Sequence, residues 1–312
     1  MISRRNIRVK VMQTLYTLET MEPGELEKNK KLGTTILNDK LNRSLDLFVI
    51  SILYIIRTAQ YAEKDAHQRA SKYLPTKEDL NVSTKIAGNE FIWNILSNQT
   101  FAEKIKDAKL DHFVSDDWIK KLYTALEKTT EYQQYINENS RNPKAEKAIM
   151  KFLWEKQMLA NEGLMEHFSE ELPGWEDDNE MTPMLMDNFF KNSSKINFLN
   201  LISPEKREYA HNLMQTVLDK KDYCMELVEP RLINWDAERV ALIDLLLLRM
   251  GLCEFLYFPT IPTKVTINEY IELGKLYSTP QSGQFLNGVL DNILKDLEKD
   301  NKIRKQDRVR KS

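Results

Sequence analysis

The chain has 312 residues, 42% hydrophobic and 29% charged, with mean hydropathy −0.51 and formal net charge −2. That balance excludes a disordered polymer and a membrane-embedded bundle. Nine Gly and ten Pro serve the whole length, so reversals are scarce and long helices are expected rather than a sheet with many turns.

The first predicted element is an amphipathic helix over 3–20, with Ile7, Val11, Leu15 and Leu18 on one stripe at helical spacing. Pro23-Gly24 and a charge run over Met21–Lys31 should end it. Leu45, Phe48, Val49, Ile52, Ile56 and Ala59 give a second stripe, expected to run to Tyr73 before Pro75. The apolar stretches near 45–56 and 245–256 are too short to span a bilayer. Weaker helical patterns follow at about 84–98, 114–139 and 143–171. The stretch 157–190 holds nine acids and no Lys or Arg. With Pro173-Gly174 inside it, the simplest reading is a solvated loop. A Ser/Asn cluster at 192–194 and Ser203-Pro204 then punctuate the chain.

From Pro204 the periodicity is clearer. A helix is expected over about 205–229, ending near Pro230. Another should start near Asn234 or Asp236 and pass through Val240 to Phe255. It is apolar nearly all round, as befits the buried centre of a bundle. Pro259 and Pro262 break it, and Thr266-Ile267-Asn268-Glu269 reads as a capping box opening a helix to Tyr277. Pro280 separates that from a last helix over about 282–299. No segment alternates with period two, so the class is all-α.

The termini are basic. Residues 1–16 contain Arg4, Arg5, Arg8 and Lys10 with no acid, and residues 299–312 hold seven Lys or Arg against two Asp. Basic ends on a near-neutral chain suit a polyanion, since cations at phosphates release counterions; the tail charge is equally read as solubilising. On a helical wheel Arg5, Arg8, Met12 and Tyr16 form a second stripe, which should expose guanidinium groups and one aromatic on a common edge. That edge suits single-stranded RNA, with Arg on phosphate and a phenol ring under a base. Tyr16 facing the core is the alternative.

Catalytic patterns are missing. There is no phosphate loop, dinucleotide fingerprint, nucleophile elbow or H-E-x-x-H. Glu208-Tyr209-Ala210-His211 is one Glu-x-x-His pair, whereas a di-iron bundle needs two such pairs and further carboxylates. Cys224 and Cys253 form no disulfide framework and no metal-spaced pattern. With no apolar run behind the first arginines, a cytoplasmic protein without secretory signal, metal, cofactor or catalytic site is expected.

Four motifs carry a resemblance. Arg4-Arg5-Asn6-Ile7-Arg8 with Met12-Gln13-Thr14-Leu15-Tyr16, then Leu248-Arg249 with Glu254, are the first two. Ile261-Pro262-Thr263-Lys264-Val265-Thr266-Ile267-Asn268-Glu269 with Ile271-Glu272-Leu273-Gly274-Lys275 is the third, and Phe285-Leu286-Asn287-Gly288-Val289-Leu290-Asp291 the fourth. In this order the chain resembles the NusB family of transcription antitermination factors, whose patterns run R-R-x-A-R, L-R-x-A-x-x-E, I-P-x-x-V-x-I-N-E-x-V-E-L-A-K and F-V-N-G-V-L-D. It departs at Gly274 for Ala, Val9 for Glu and Asn6 within the arginine run. The resemblance spans 4–18 and about 205–297, roughly a third of the chain.

The resemblance implies a NusB-like helical bundle over 1–24 and 203–300, a large helical insertion over 25–202 and a basic tail over 301–312. It also implies binding to single-stranded boxA-like RNA of ribosomal transcripts, together with NusE, a small-subunit ribosomal protein, within the RNA polymerase antitermination complex. Carried over by position, Arg4, Arg5, Arg8, Tyr16, Lys275, Gln281, Phe285 and Asn287 would meet RNA, and Asp244 and Arg249 would lie on the NusE side. Packing alone is the other reading of Phe285 and Asn287. A helical protein–protein adaptor, with the insertion as its surface, is the alternative function. An RNA cytosine methyltransferase with a NusB-like domain is disfavoured, because no βα alternation supplies a cofactor domain.

Overall fold

The computed structural model describes residues 2–22, 31–192, 196–232 and 240–306. Among these the chain is all-α, with sixteen α-helices and no strand. Expectations resting on Pro23-Gly24, the Ser/Asn cluster, the helix start near Asn234 or Asp236, and the end of the basic tail lie outside the described residues. The chain divides into two compact units, one over 42–201 and the other over 2–41 and 202–312.

The unit over 42–201 is built on the later part of α2 (Leu32–Ala70). It adds α3 (Lys77–Leu80), α4 (Glu90–Leu96), α5 (Gln99–Asp107), α6 (Asp116–Leu126), α7 (Thr130–Asn137) and α8 (Pro143–Phe152). A π-helical turn over Leu153–Met158 leads to α9 (Glu162–Glu171), α10 (Trp175–Asp178) and α11 (Met181–Lys191). Aromatic contacts mark the core along α2. Phe48 meets Phe189 edge-on at 5.7 Å, Tyr54 meets Phe168 at 5.0 Å, and Tyr61 meets Tyr123 at 5.4 Å.

Two expectations are corrected here. The second helix starts at Leu32, well before the predicted stripe, and by length and composition it could cross a membrane. Its most apolar 18-residue window is 83% buried inside the structure, as the core helix of a water-facing fold would be. The acid-rich stretch is helical, not a loop. Leu164, Phe168, Leu172 and Trp175 are buried while Glu162, Glu166, Glu170, Glu171, Glu176 and Asp177 face outward. Helical spacing puts the apolar residues inside, and Gly174 makes the intervening turn at φ +83°.

The other unit comprises α1 (Arg4–Glu19), residues 32–41 of α2, and α12 (Pro204–Asp219). With them pack α13 (Lys221–Val228), α14 (Leu242–Tyr257), α15 (Thr263–Tyr277) and α16 (Ser282–Lys299). The expected helix over 205–229 is therefore two helices. Central α14 packs against α1, α12, α13, α15 and α16; its residues 246–255 are all buried, as a helix apolar on every side requires. The first stretch of α2 runs antiparallel to α12. Asn38 Oδ1 accepts from Arg207 at 3.2 Å and contacts His211 at 3.1 Å, while Gly33 lies against Met214. The chain thus leaves this unit after Leu41 close to where it re-enters at Ile202.

The capping-box reading is also corrected. Helix α15 already begins at Thr263, after Pro262. Thr266 lies inside it, buried, and donates to the Glu254 carboxylate at 2.9 Å. The described start of the basic tail is tied down as well. Lys305 Nζ donates to the carbonyls of Glu254 (2.7 Å) and Phe258 (3.0 Å), closing the C-terminal end of α14. Burial pulls its pKa down to about 8.

Candidate nucleic-acid interface

Ser3 caps α1 by accepting from the Asn6 amide, and the Ile7–Val11–Leu15–Leu18 stripe is buried. The expected exposed arginine edge is only partly present. Arg8 is 2% exposed, and its guanidinium grips the Glu254 carboxylate with Nε–Oε1 2.7 Å and Nη2–Oε2 3.0 Å. The hydroxyls of Tyr209, Tyr270 and Thr266 donate to the same carboxylate. Burial alone would lower the Arg8 pKa; the Glu254 hydrogen bonds and charge outweigh it and hold the guanidinium above its ordinary value. Burial, then the Glu254 charge, pushes both phenols well above theirs. Arg8 is a core cation matched to a core anion, and Lys10 too is buried.

Arg5 is different. It makes a bidentate pair with Glu269 at 3.0 and 2.9 Å, and its side chain remains 42% exposed. Arg8 Nη1 reaches the same carboxylate at 3.3 Å. The Arg5 hydrogen bond holds the Glu269 carboxyl below its usual range. Arg4 is exposed, 3.7 Å from Glu205 and over the Tyr209 ring. Tyr16 is exposed, eleven residues on from Arg5, hence about 16 Å along the helix.

The C-terminal candidates fall into two groups. Lys275 is exposed and donates to Glu272 at 2.8 Å. Its stem crosses the start of α16, where a Cβ on Gly283 would come 2.9 Å from Lys275 Cγ. Gln281 precedes that glycine, and Asn287 lies one turn beyond on the same face; both are exposed. Glu272 also senses the charge of Arg5. Arg5, Lys275, Gln281 and Asn287 therefore border one strip running from the start of α1 over α15 to α16.

The remaining candidates are buried. Phe285 is a core residue at 5% exposure. Asp244 accepts from Ser282 Oγ at 2.7 Å, and Arg249, 3% exposed, donates to Glu19 at 2.7 Å. Arg8, Phe285, Asp244 and Arg249 thus do not present their side chains to a ligand. Glu254, Glu269, Tyr209 and Tyr270, which hold the arginines, carried one sequence signal. An acid inside an otherwise apolar central helix needs a cation beside it.

Among the described residues no group of three or more His, Cys, Asp or Glu could hold a metal ion. A sequence model described as the NusB family matches residues 177–295. The chain is 38% identical over 94 residues to the transcription antitermination protein NusB of Listeria monocytogenes, covering 30% of this chain and 73% of that one. It belongs to the NusB family. The NusB protein of Salinibacter ruber is 42% identical over 105 residues, 34% of this chain and 66% of that relative. That of Desulfatibacillum aliphaticivorans is 37% identical over 99 residues, 32% and 69% respectively. No solved structure matches. The NusB match begins after α1, so the pairing of Arg5 and Arg8 with Glu269 and Glu254 joins this helix to the matched segment across 246 to 264 residues.

Proposed function

We propose that this NusB-family chain is a cytoplasmic, non-enzymatic transcription antitermination factor that binds single-stranded boxA-like RNA of ribosomal transcripts. It does so together with NusE, within the RNA polymerase antitermination complex. The observation carrying this reading is the strip of Arg5, Lys275, Gln281 and Asn287, with exposed Arg4 beside it and Tyr16 further along α1. It supplies cations for phosphate, amides for base edges and a ring for stacking. Arg8 and Phe285 serve by fixing the helices that bear the strip. On the NusE side, Asp244 and Arg249 act through the groups they hold, Ser282 and Glu19. The NusB-like bundle takes in residues up to Leu41, and residues 42–201 are the inserted unit.

The test is fluorescence anisotropy with a boxA-like oligonucleotide over a salt series. Alanine at Arg4 and Arg5 should weaken binding and reduce the log–log salt slope by about 0.7 for each lost phosphate contact. NusE should tighten RNA binding by the same factor as RNA tightens NusE binding. Unchanged RNA affinity in the double variant sinks the assignment of this strip.

A second reading, a protein–protein adaptor, is favoured by Tyr73 and Leu74, which are 98% and 81% exposed in the inserted unit. Pull-down with and without RNase separates the two readings.

A further inference from the structure

Cys224 on α13 and Cys253 on α14 are 29 positions apart in sequence, yet their Sγ atoms lie 3.7 Å apart. Both are free and fully buried. A disulfide needs an S–S separation near 2.05 Å, so closing one asks for an approach of about 1.7 Å. That approach calls for rotation about the χ1 angles and a shift of the eight-residue α13.

The surroundings distinguish the two sulfurs. Arg249 precedes Cys253 by one helical turn, and Cys224 Sγ lies 4.0 Å from its carbonyl oxygen. The Arg249 guanidinium spends one nitrogen on Glu19, while buried Nε and Nη2 have no hydrogen-bond partner. An under-used buried cation beside two thiols favours negative charge on one of them. The hydrogen bond from Cys253, aided by Arg249 and Lys220 against the effect of burial, draws the Cys224 thiol below its ordinary value. The same pairing, with burial, pushes the Cys253 thiol up.

We propose that Cys224 and Cys253 form a peroxide-oxidised dithiol, with Cys224 attacking and Cys253 resolving. The Cys224 thiolate attacks one peroxide oxygen, the O–O bond breaks, and hydroxide leaves and takes a proton to become water. The resulting sulfenic acid is attacked at sulfur by Cys253. The S–O bond breaks, a second water leaves with the Cys253 proton, and an S–S bond remains. Two thiols lose two electrons and two protons, and hydrogen peroxide becomes two waters. Peroxide is nearly as small as water, which suits a pair with no exposed surface. The product ties α13 to α14 beside Glu19, which Lys221 of α13 and Arg249 of α14 both hold. This inference does not depend on the RNA reading.

The test uses the full chain, treated with hydrogen peroxide, denatured, blocked with N-ethylmaleimide and weighed intact. The expected product has lost about 2 Da, resists blocking at both cysteines, and returns to two free thiols with dithiothreitol. Cys253→Ser should stop at a dimedone-reactive sulfenic acid on Cys224, while Cys224→Ser leaves Cys253 unoxidised at the same dose. Circular dichroism and melting of the reduced variants check their folding. If either is unfolded, peptide mapping of the oxidised wild-type chain decides alone, by the presence of a 224–253 linked peptide. Two free thiols after the dose that oxidises free cysteine in parallel, or a link only between separate chains, overturns the proposal.

Discussion

Arg8 and Arg5 sit one turn apart on α1, yet replacing them should have very different consequences. The Arg8–Glu254 pair is 2% and 0% exposed. Alanine at position 8 leaves the Glu254 carboxyl in the core with three hydroxyl donors and without its guanidinium partner. Losing one partner of such a buried pair costs about 3–5 kcal/mol. Arg5 and Glu269 remain 42% and 20% exposed, and pairs of that kind contribute about 0–1 kcal/mol. Hydrogen exchange with mass spectrometry on peptides from α1 and α14 reads the difference directly. Arg8→Ala should speed exchange of their protected amides by roughly 10²–10⁴-fold, and Arg5→Ala by less than about 10-fold. Replacing both members, as Arg8→Met with Glu254→Leu, should recover much of the loss, because neither charge is then stranded. Protection in Arg8→Ala indistinguishable from that in Arg5→Ala would refute the burial argument. It would restore the reading of the two arginines as equivalent surface cations.

Acid should loosen the same region through a second route. Arg5 first, against burial, holds the Glu269 carboxyl below its ordinary 4.5, so its contribution is complete above that pH and is lost as pH falls through the lowered value. Melting curves from about pH 6 to pH 3 should show this acid limb, flattened in Arg5→Ala. Replacing residues 42–201 with a short Gly/Ser linker should leave a soluble helical bundle, since both ends emerge together beside α12. Extending the deletion to 28–200 should instead give a less stable product in the same melting assay, because Leu37 and Leu41 are fully buried in that bundle. At Gly274 an added Cβ would lie 2.3 Å from Leu286 Cδ1. Gly274→Ala should therefore destabilise by about 1–3 kcal/mol despite alanine's better helix propensity. Leu286→Val should recover part of that in a double-mutant cycle; additive effects would contradict the clash.

Gly274 and Leu286 stand where the family pattern has Ala and Val, so larger and smaller residues have changed places across one contact. Gly274 looked like an isolated departure in sequence; only its proximity to Leu286 makes the two one packing unit. The exposed half of the candidate strip was similarly legible. Arg4, Arg5, Lys275 and Asn287 lie on helices whose periodicity was plain, Gln281 just before one of them, and the motifs beside them carried the family. The buried half was not, because a helical wheel gives the direction of Arg8 but not what stands opposite it.

By itself the sequence determined what depends on near neighbours. The scarcity of Gly and Pro, the stripe of α1, the all-round apolar α14 and the extent of α16 follow from spacings of three and four residues, which repeat wherever a helix is half or wholly buried. Only the tertiary structure decided that Thr266 serves Glu254 rather than a cap, and that the acid-rich stretch packs as helices. It alone brought Cys224 to Cys253, and it alone decided that Arg8 is a core cation while Arg5 remains at the surface. Each of these depends on partners far off along the chain. Burial and electrostatic pairing are set by distance in space, and local periodicity fixes only which side of a helix a residue occupies.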